Sequence, residues 1–162
     1  DIKRSVHKHL QEKHLIFGSG TGLAPLISTG LIEHGEITNE TSIQLLPNKE
    51  DKFISDLVHA KVLSGHSAWS CDLAGEEYTT AIASSWGRIH LGQAEEKMVK
   101  NGQVVSVFMN YFADETIDSL TSPNGLVFGS LSNIERMDND LYQNVEQVGL
   151  PLFIQTAKDY FN

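Results

Sequence analysis

Gly18-Ser19-Gly20-Thr21-Gly22 is the stretch whose residue types and spacing point most directly to chemistry. The apolar run Leu15-Ile16-Phe17 precedes it and an apolar, helix-like segment follows. A strand, a glycine loop and a helix together present backbone N–H groups to an anion at a helix N-terminus. Glycine also lets the backbone approach a ligand closely and take positive φ. Ser19 and Thr21 add hydroxyl donors. The expected ligand is a small phosphorylated or anionic molecule, a nucleotide among the candidates. The plain alternative is a turn whose glycines serve packing. His66, in the short loop Ser64-Gly65-His66-Ser67, and Asp114, after a strong strand, complete the expected ligand-binding set. Asp114-Glu115 equally suits the N-cap of a helix starting at Thr116.

A second chemistry is nucleophilic. Cys71 lies beside Asp72 near the end of an expected strand, and His90 follows 19 residues later. A Cys–His pair on neighbouring strands makes a thiolate–imidazolium couple for acyl transfer or amide hydrolysis. Asp72, Thr79 and Thr80 are the nearby groups able to orient the imidazole. Such a constellation fits a cysteine-dependent hydrolase or deamidase. The competing view is a lone cysteine serving as a small buried hydrophobe.

The other polar residues give weaker signals. His59, His66 and His90 are suitable metal ligands by type, but no two have a recognised ligand spacing, so no metal site is assigned. The cofactor stays undetermined. His7 and His9 point to different faces of a helix. Glu76-Glu77 and Glu95-Glu96 are adjacent pairs, and adjacent side chains diverge on helix and strand alike. Trp69 and Trp86 flank an expected hairpin, either as core anchors or as a platform for a flat ligand.

The glycine loop departs from two familiar patterns. It lacks the Gly-Lys-Ser/Thr of a Walker A loop, and Leu23 stands where a Rossmann fingerprint has its third glycine. Phe17-Gly-Ser-Gly-Thr-Gly-Leu-Ala-Pro25 is similar to the nicotinamide-nucleotide loop of ferredoxin-reductase-like flavoenzymes. That resemblance covers nine of 162 residues. The family also has a Cys-Gly segment near its C-terminus. Here the only cysteine, Cys71, is followed by Asp72.

Bulk properties narrow the classes. A chain of 162 residues with 40% hydrophobic and 20% charged content suits one core. A net charge of −9 argues against a nucleic-acid surface and against docking on anionic membranes. Residues 1–14 nevertheless carry a net +2 from Lys3, Arg4, Lys8 and Lys13 against Asp1 and Glu12. That basic arm is either a solvated helix face or the contact for a protein partner. The second non-catalytic possibility is therefore an interaction or sensory domain of a larger assembly. No apolar run reaches the length of a membrane span, and the pattern is that of a soluble protein of undetermined compartment. The start at Asp1 suggests a processed product or an excised piece.

The positioning elements follow from periodicity. Ile2, Val6 and Leu10 predict an amphipathic helix over 2–13. Strands are expected at 15–17, 42–46, from 61, 68–73, 78–83, 86–91, 104–112 and 126–128. Helices are expected at 23–34, 51–60, 93–100, 138–148 and 151–161. Ser122-Pro123-Asn124-Gly125 reads as a turn. The expected fold is α/β or α+β, a mixed sheet with helices packed on it. A βαβ-like N-terminal part precedes antiparallel hairpins. The arm at 1–13 is expected to adjoin one globular domain over 14–162.

Overall fold

The computed structural model describes residues 1–109, 117–136 and 152–161. The architecture is a mixed α/β fold, as the patterning implies. Its principal sheet comprises β1 (Ile16–Ser19), β3 (Ile54–Val62), β4 (Glu77–Ser84), β6 (Val104–Phe108), β7 (Ile117–Thr121) and β8 (Val127–Ser130). They lie in the order β1-β8-β7-β6-β3-β4. β1 and β8 run parallel, whereas the other neighbours in this sheet are antiparallel. β2 (Gln44–Leu46) and β5 (Arg88–His90) form a separate antiparallel pair.

The helices are α1 (Ile2–Gln11), α2 (Leu23–Ser28), α3 (Leu31–His34), α4 (Glu95–Lys100) and α5 (Phe153–Asp159). Close packing of α2 depends on two glycines side by side in the sheet, Gly18 opposite Gly129. A Cβ on Gly18 would lie 2.7 Å from Leu26, and one on Gly129 would lie 2.4 Å from Leu23. The bare backbone therefore lets α2 lie directly on β1 and β8. The neighbouring residues Phe17 and Phe128 stack at 6.1 Å, and Trp69 and Phe153 join them. Strand alternation puts these rings on the face opposite α2. α1 is capped by Asp1, whose carboxylate accepts from the Lys3 N–H, and it packs Val6 and Leu10 against the core.

Several expectations require correction. The helix expected at 51–60 is strand β3, which continues through the strand expected from residue 61. Phe53, Leu57 and Val58 imitate a helical stripe, but Val58, Ala60 and Val62 are buried with period two. Pairing with β4 and β6 on both edges outweighs the local pattern. The strand expected at 68–73 is a series of turns. There Ser67 donates its hydroxyl to Gly125 O and Ser70 donates to Ser64 O, while the Cys71 N–H bonds to Ser67 O. Such local serine bonds compete with a strand ladder. The helix expected at 23–34 divides at Gly30, whose φ of 74° ends α2 and restarts the chain as α3. Strand 104–112 is described only as far as Met109, and the helix at 138–148 lies outside the described residues.

Candidate functional site

The glycine loop leaves the sheet as a sharp strand-to-helix bend. Ser19 ends β1 in extended conformation, Gly20–Gly22 form a 3-10 turn, and α2 begins at Leu23. Gly20 adopts φ +53°, the left-handed region that favours glycine. This is the geometry of a nucleophile elbow, a G-x-nucleophile-x-G turn that lifts its third residue above the end of a sheet. In Gly18-Ser19-Gly20-Thr21-Gly22, the third position is Gly20. The elbow is built, but its central residue has no side chain.

The residues facing Gly20 arrive from the other end of the chain. β8 pairs with β1 in register Ser19–Ser130, so the segment after β8 emerges next to the elbow. A Cβ on Gly20 would stand 2.8 Å from Asn133 Nδ2. Asn133 Nδ2 in turn donates to Glu135 Oε1 at 3.1 Å. The Ser19 hydroxyl donates to the second oxygen of Glu135. Elbow, facing polar group and orienting carboxylate thus lie in sequence, as in a nucleophile–base–acid triad. Gly20 cannot attack, however, and the Asn133 amide cannot accept and return a proton near neutral pH.

A buried network fixes the segment that carries Asn133. Asp118 is fully buried on β7 and accepts from Tyr78, Ser106, Ser130, the Ser132 hydroxyl and the Ser132 N–H. The Asn133 N–H bonds to Ala81 O at 2.7 Å. Burial raises the Asp118 pKa, against the opposing hydrogen bonds from Tyr78, Ser132 and Ser130. Burial also pushes Glu135 upward, but its hydrogen bonds from Ser19 and Asn133, with Arg136 nearby, bring it below the usual range. Glu135 is therefore a carboxylate at neutral pH. Asn133 Oδ1 is buried without a hydrogen-bond partner.

A cavity of about 710 Å³ opens beside the elbow. Gly20, Thr21, Ala24 and Ile27 form one side, with Ile43, Leu45 and Trp86 opposite. Trp86 is 52% exposed, whereas Trp69 is packed in the core. The two tryptophans expected to act alike therefore have different surroundings.

The remaining expected site residues are dispersed. His66 bonds through Nε2 to Pro123 O at 2.7 Å, in the turn before β8, whereas the elbow lies beyond the opposite end of that strand. Asp114 is outside the described residues. Cys71 belongs to the turns between β3 and β4, and His90 pairs with Gln44 in the small sheet. No hydrogen bond or charge interaction joins Cys71 to His90 among the described residues. Burial raises the Cys71 thiol pKa, and the Asp72 and Asp159 charges raise it further. Among the described residues, no group of three His, Cys, Asp or Glu side chains is arranged to hold a metal.

Residues 1–153 match the family model of the CobB/CobQ-like glutamine amidotransferase domain. The chain belongs to this family. A solved structure, "Structure of PurLQS from Thermotoga maritima", is similar with a TM-score of 0.76 and 23% identity. The similarity covers 99% of this chain and 68% of that one. No curated protein matches the chain in sequence. The glutamine amidotransferase family is distinct from the flavoenzymes that the nine-residue loop resembles. Asn133 and Glu135 went unnoticed in the sequence because they lie more than a hundred residues from Gly20. The signal in the sequence is Asn133-Ile134-Glu135 a few residues beyond a short apolar strand.

Proposed function

We propose that this chain is a non-hydrolytic glutamine amidotransferase domain that binds a small molecule beside Gly20 and does not release ammonia from glutamine. The observation carrying this reading is glycine at the third position of the elbow, at φ +53°. Hydrolysis through an elbow requires a side-chain nucleophile and a group that takes its proton. Gly20 supplies neither, and Asn133 occupies the space that faces it. The raised thiol pKa of Cys71 argues against that residue as a substitute.

The ligand part of the reading rests on the cavity at the elbow. Among the described residues the cavity lining carries no Lys, Arg or His to neutralise an anion, so it favours a ligand without a phosphate. A protein partner is a further part of the proposal. The composite name of the solved neighbour, PurLQS, supports membership of a multi-subunit assembly. The basic helix α1 is the proposed contact. No helix among the described residues is long and apolar enough to cross a membrane.

The test is ammonia release from glutamine by the purified chain, together with thermal unfolding against a panel of amides, amino acids and phosphate. No ammonia and a saturable rise in Tm with one panel member are expected. Ammonia release that disappears in Cys71→Ala would refute the non-hydrolytic reading and restore the cysteine hydrolase.

A further inference from the structure

We propose that His9 and His14 form a two-imidazole site for a divalent late transition-metal ion such as Zn2+, at the C-terminal end of α1 and outside the elbow and its cavity. The site follows from the way α1 stops. Lys13 takes φ +59°, its N–H bonds to Leu10 O, and the His14 N–H reaches back to His9 O at 3.0 Å. These two bonds around a left-handed residue make a Schellman turn. Such a turn brings together the side chains at the positions of His9 and His14, usually as an apolar pair. Here both are imidazoles. Their Nδ1 atoms stand 3.3 Å apart, and the ring planes are inclined at 61° rather than stacked.

A third contact sets the protonation of His9. Its Nε2 lies 3.3 Å from Leu15 O, and a carbonyl only accepts. In the neutral ring the proton is therefore on Nε2, and Nδ1, on the side of His14, carries the lone pair. A carbonyl partner on the far nitrogen is also the usual arrangement for a metal-bound histidine. The gap between the two Nδ1 atoms is bridged either by a proton on His14 or by a metal ion. Two Zn–N bonds at the tetrahedral angle span about 3.3 Å, so the ion fits without spreading the nitrogens. Glu12, which also pairs with Lys8, places its carboxylate 3.7 Å from His14 Nδ1, and the negative end of the α1 dipole adds to the attraction for a cation. Imidazole nitrogens select zinc, nickel and copper over magnesium and calcium, and water would complete the coordination. A bound ion would fix the turn that leads from α1 through Leu15 into β1.

Zn2+ and Mg2+ should be titrated by calorimetry into the intact chain and into its His9→Ala, His14→Ala and His7→Ala variants. All three histidines are exposed, so the substitutions leave the fold in place. Zn2+ should bind the wild type saturably, and His9→Ala and His14→Ala should each weaken the tightest binding by at least about tenfold. His7→Ala, on a different face of α1, should leave it unchanged. In histidine ring NMR spectra, the His9 and His14 signals should respond to Zn2+ together and before those of the other histidines. Absence of saturable Zn2+ binding, or tight binding that survives either substitution, would overturn the proposal. Equal weakening by His7→Ala would overturn it in favour of scattered surface histidines. Mg2+ binding as tight as Zn2+ would also overturn it, because magnesium takes oxygen ligands rather than imidazoles.

Discussion

Replacing Gly20 by alanine should be costly, and the structure supplies the reasons separately. The backbone at φ +53° is left-handed, where a Cβ costs about 1–2 kcal/mol. The new Cβ would lie 2.8 Å from Asn133 Nδ2, too close for the amide to remain in place. Moving that amide breaks its bond to the Glu135 carboxylate, a loss of about 1.5–3 kcal/mol for a charged partner. Together these effects predict a destabilisation of about 2.5–5 kcal/mol. Gly22→Ala, two residues away, is the internal control. Gly22 has φ −68°, and a Cβ there meets nothing within 4 Å. That substitution should stabilise the chain by about 0.4–1 kcal/mol through the unfolded state. Urea unfolding followed by circular dichroism measures both. The double variant Gly20→Ala/Asn133→Ala should show a coupling of about 0.5–3 kcal/mol, because removing the amide relieves the clash. Equal effects of Gly20→Ala and Gly22→Ala, or strict additivity with Asn133→Ala, would refute the facing geometry of Gly20 and Asn133.

Other perturbations probe the support around the site. Asp118→Ala should destabilise by about 3–5 kcal/mol, because Tyr78, Ser106, Ser130 and Ser132 lose a buried acceptor; a change under about 1 kcal/mol in urea unfolding would refute that role. The folded pKa of Asp118 lies above its unfolded value, so the folded state holds the proton more tightly. The resulting stability is fully present below about pH 4 and is lost as pH rises through the folded pKa. Wild-type stability minus that of Asp118→Asn should therefore shift in favour of the wild type as pH falls from 7 to 4; the opposite slope would mean that burial does not dominate. Gly129→Ala should cost about 1–3 kcal/mol by forcing Leu23 and α2 away from the sheet, and unchanged stability would show that α2 can shift freely. Cys71 should react with iodoacetamide more slowly than a free thiol at pH 7.5, because burial and the Asp72 and Asp159 charges disfavour its thiolate; faster alkylation would favour a catalytic thiol.

The sequence by itself determined those features that depend on neighbouring residues. The amphipathic spacing of Ile2, Val6 and Leu10 gave α1, and Ser122–Gly125 gave the turn between β7 and β8. The content of β6 and the glycine loop after β1 likewise implied a mixed sheet with helices. Tertiary structure decided the elements in which local and distant preferences conflict. Residues 51–60 have enough helical spacing to suggest a helix, but two flanking strands pull 54–62 into the sheet. The site itself belongs to the second category. Glycines at 18, 20 and 22 are equally suited to cradling a phosphate, forming an elbow or filling a tight turn. What distinguishes these readings is Asn133 at Gly20 and Glu135 at Ser19, contacts brought about by the parallel pairing of the first strand with the last described one. Such pairing closes a loop of more than a hundred residues, and no local periodicity encodes it. Position-specific backbone strain is similarly tertiary in origin: Gly20 and Gly22 read identically in sequence, yet only Gly20 has positive φ with a side chain opposite it.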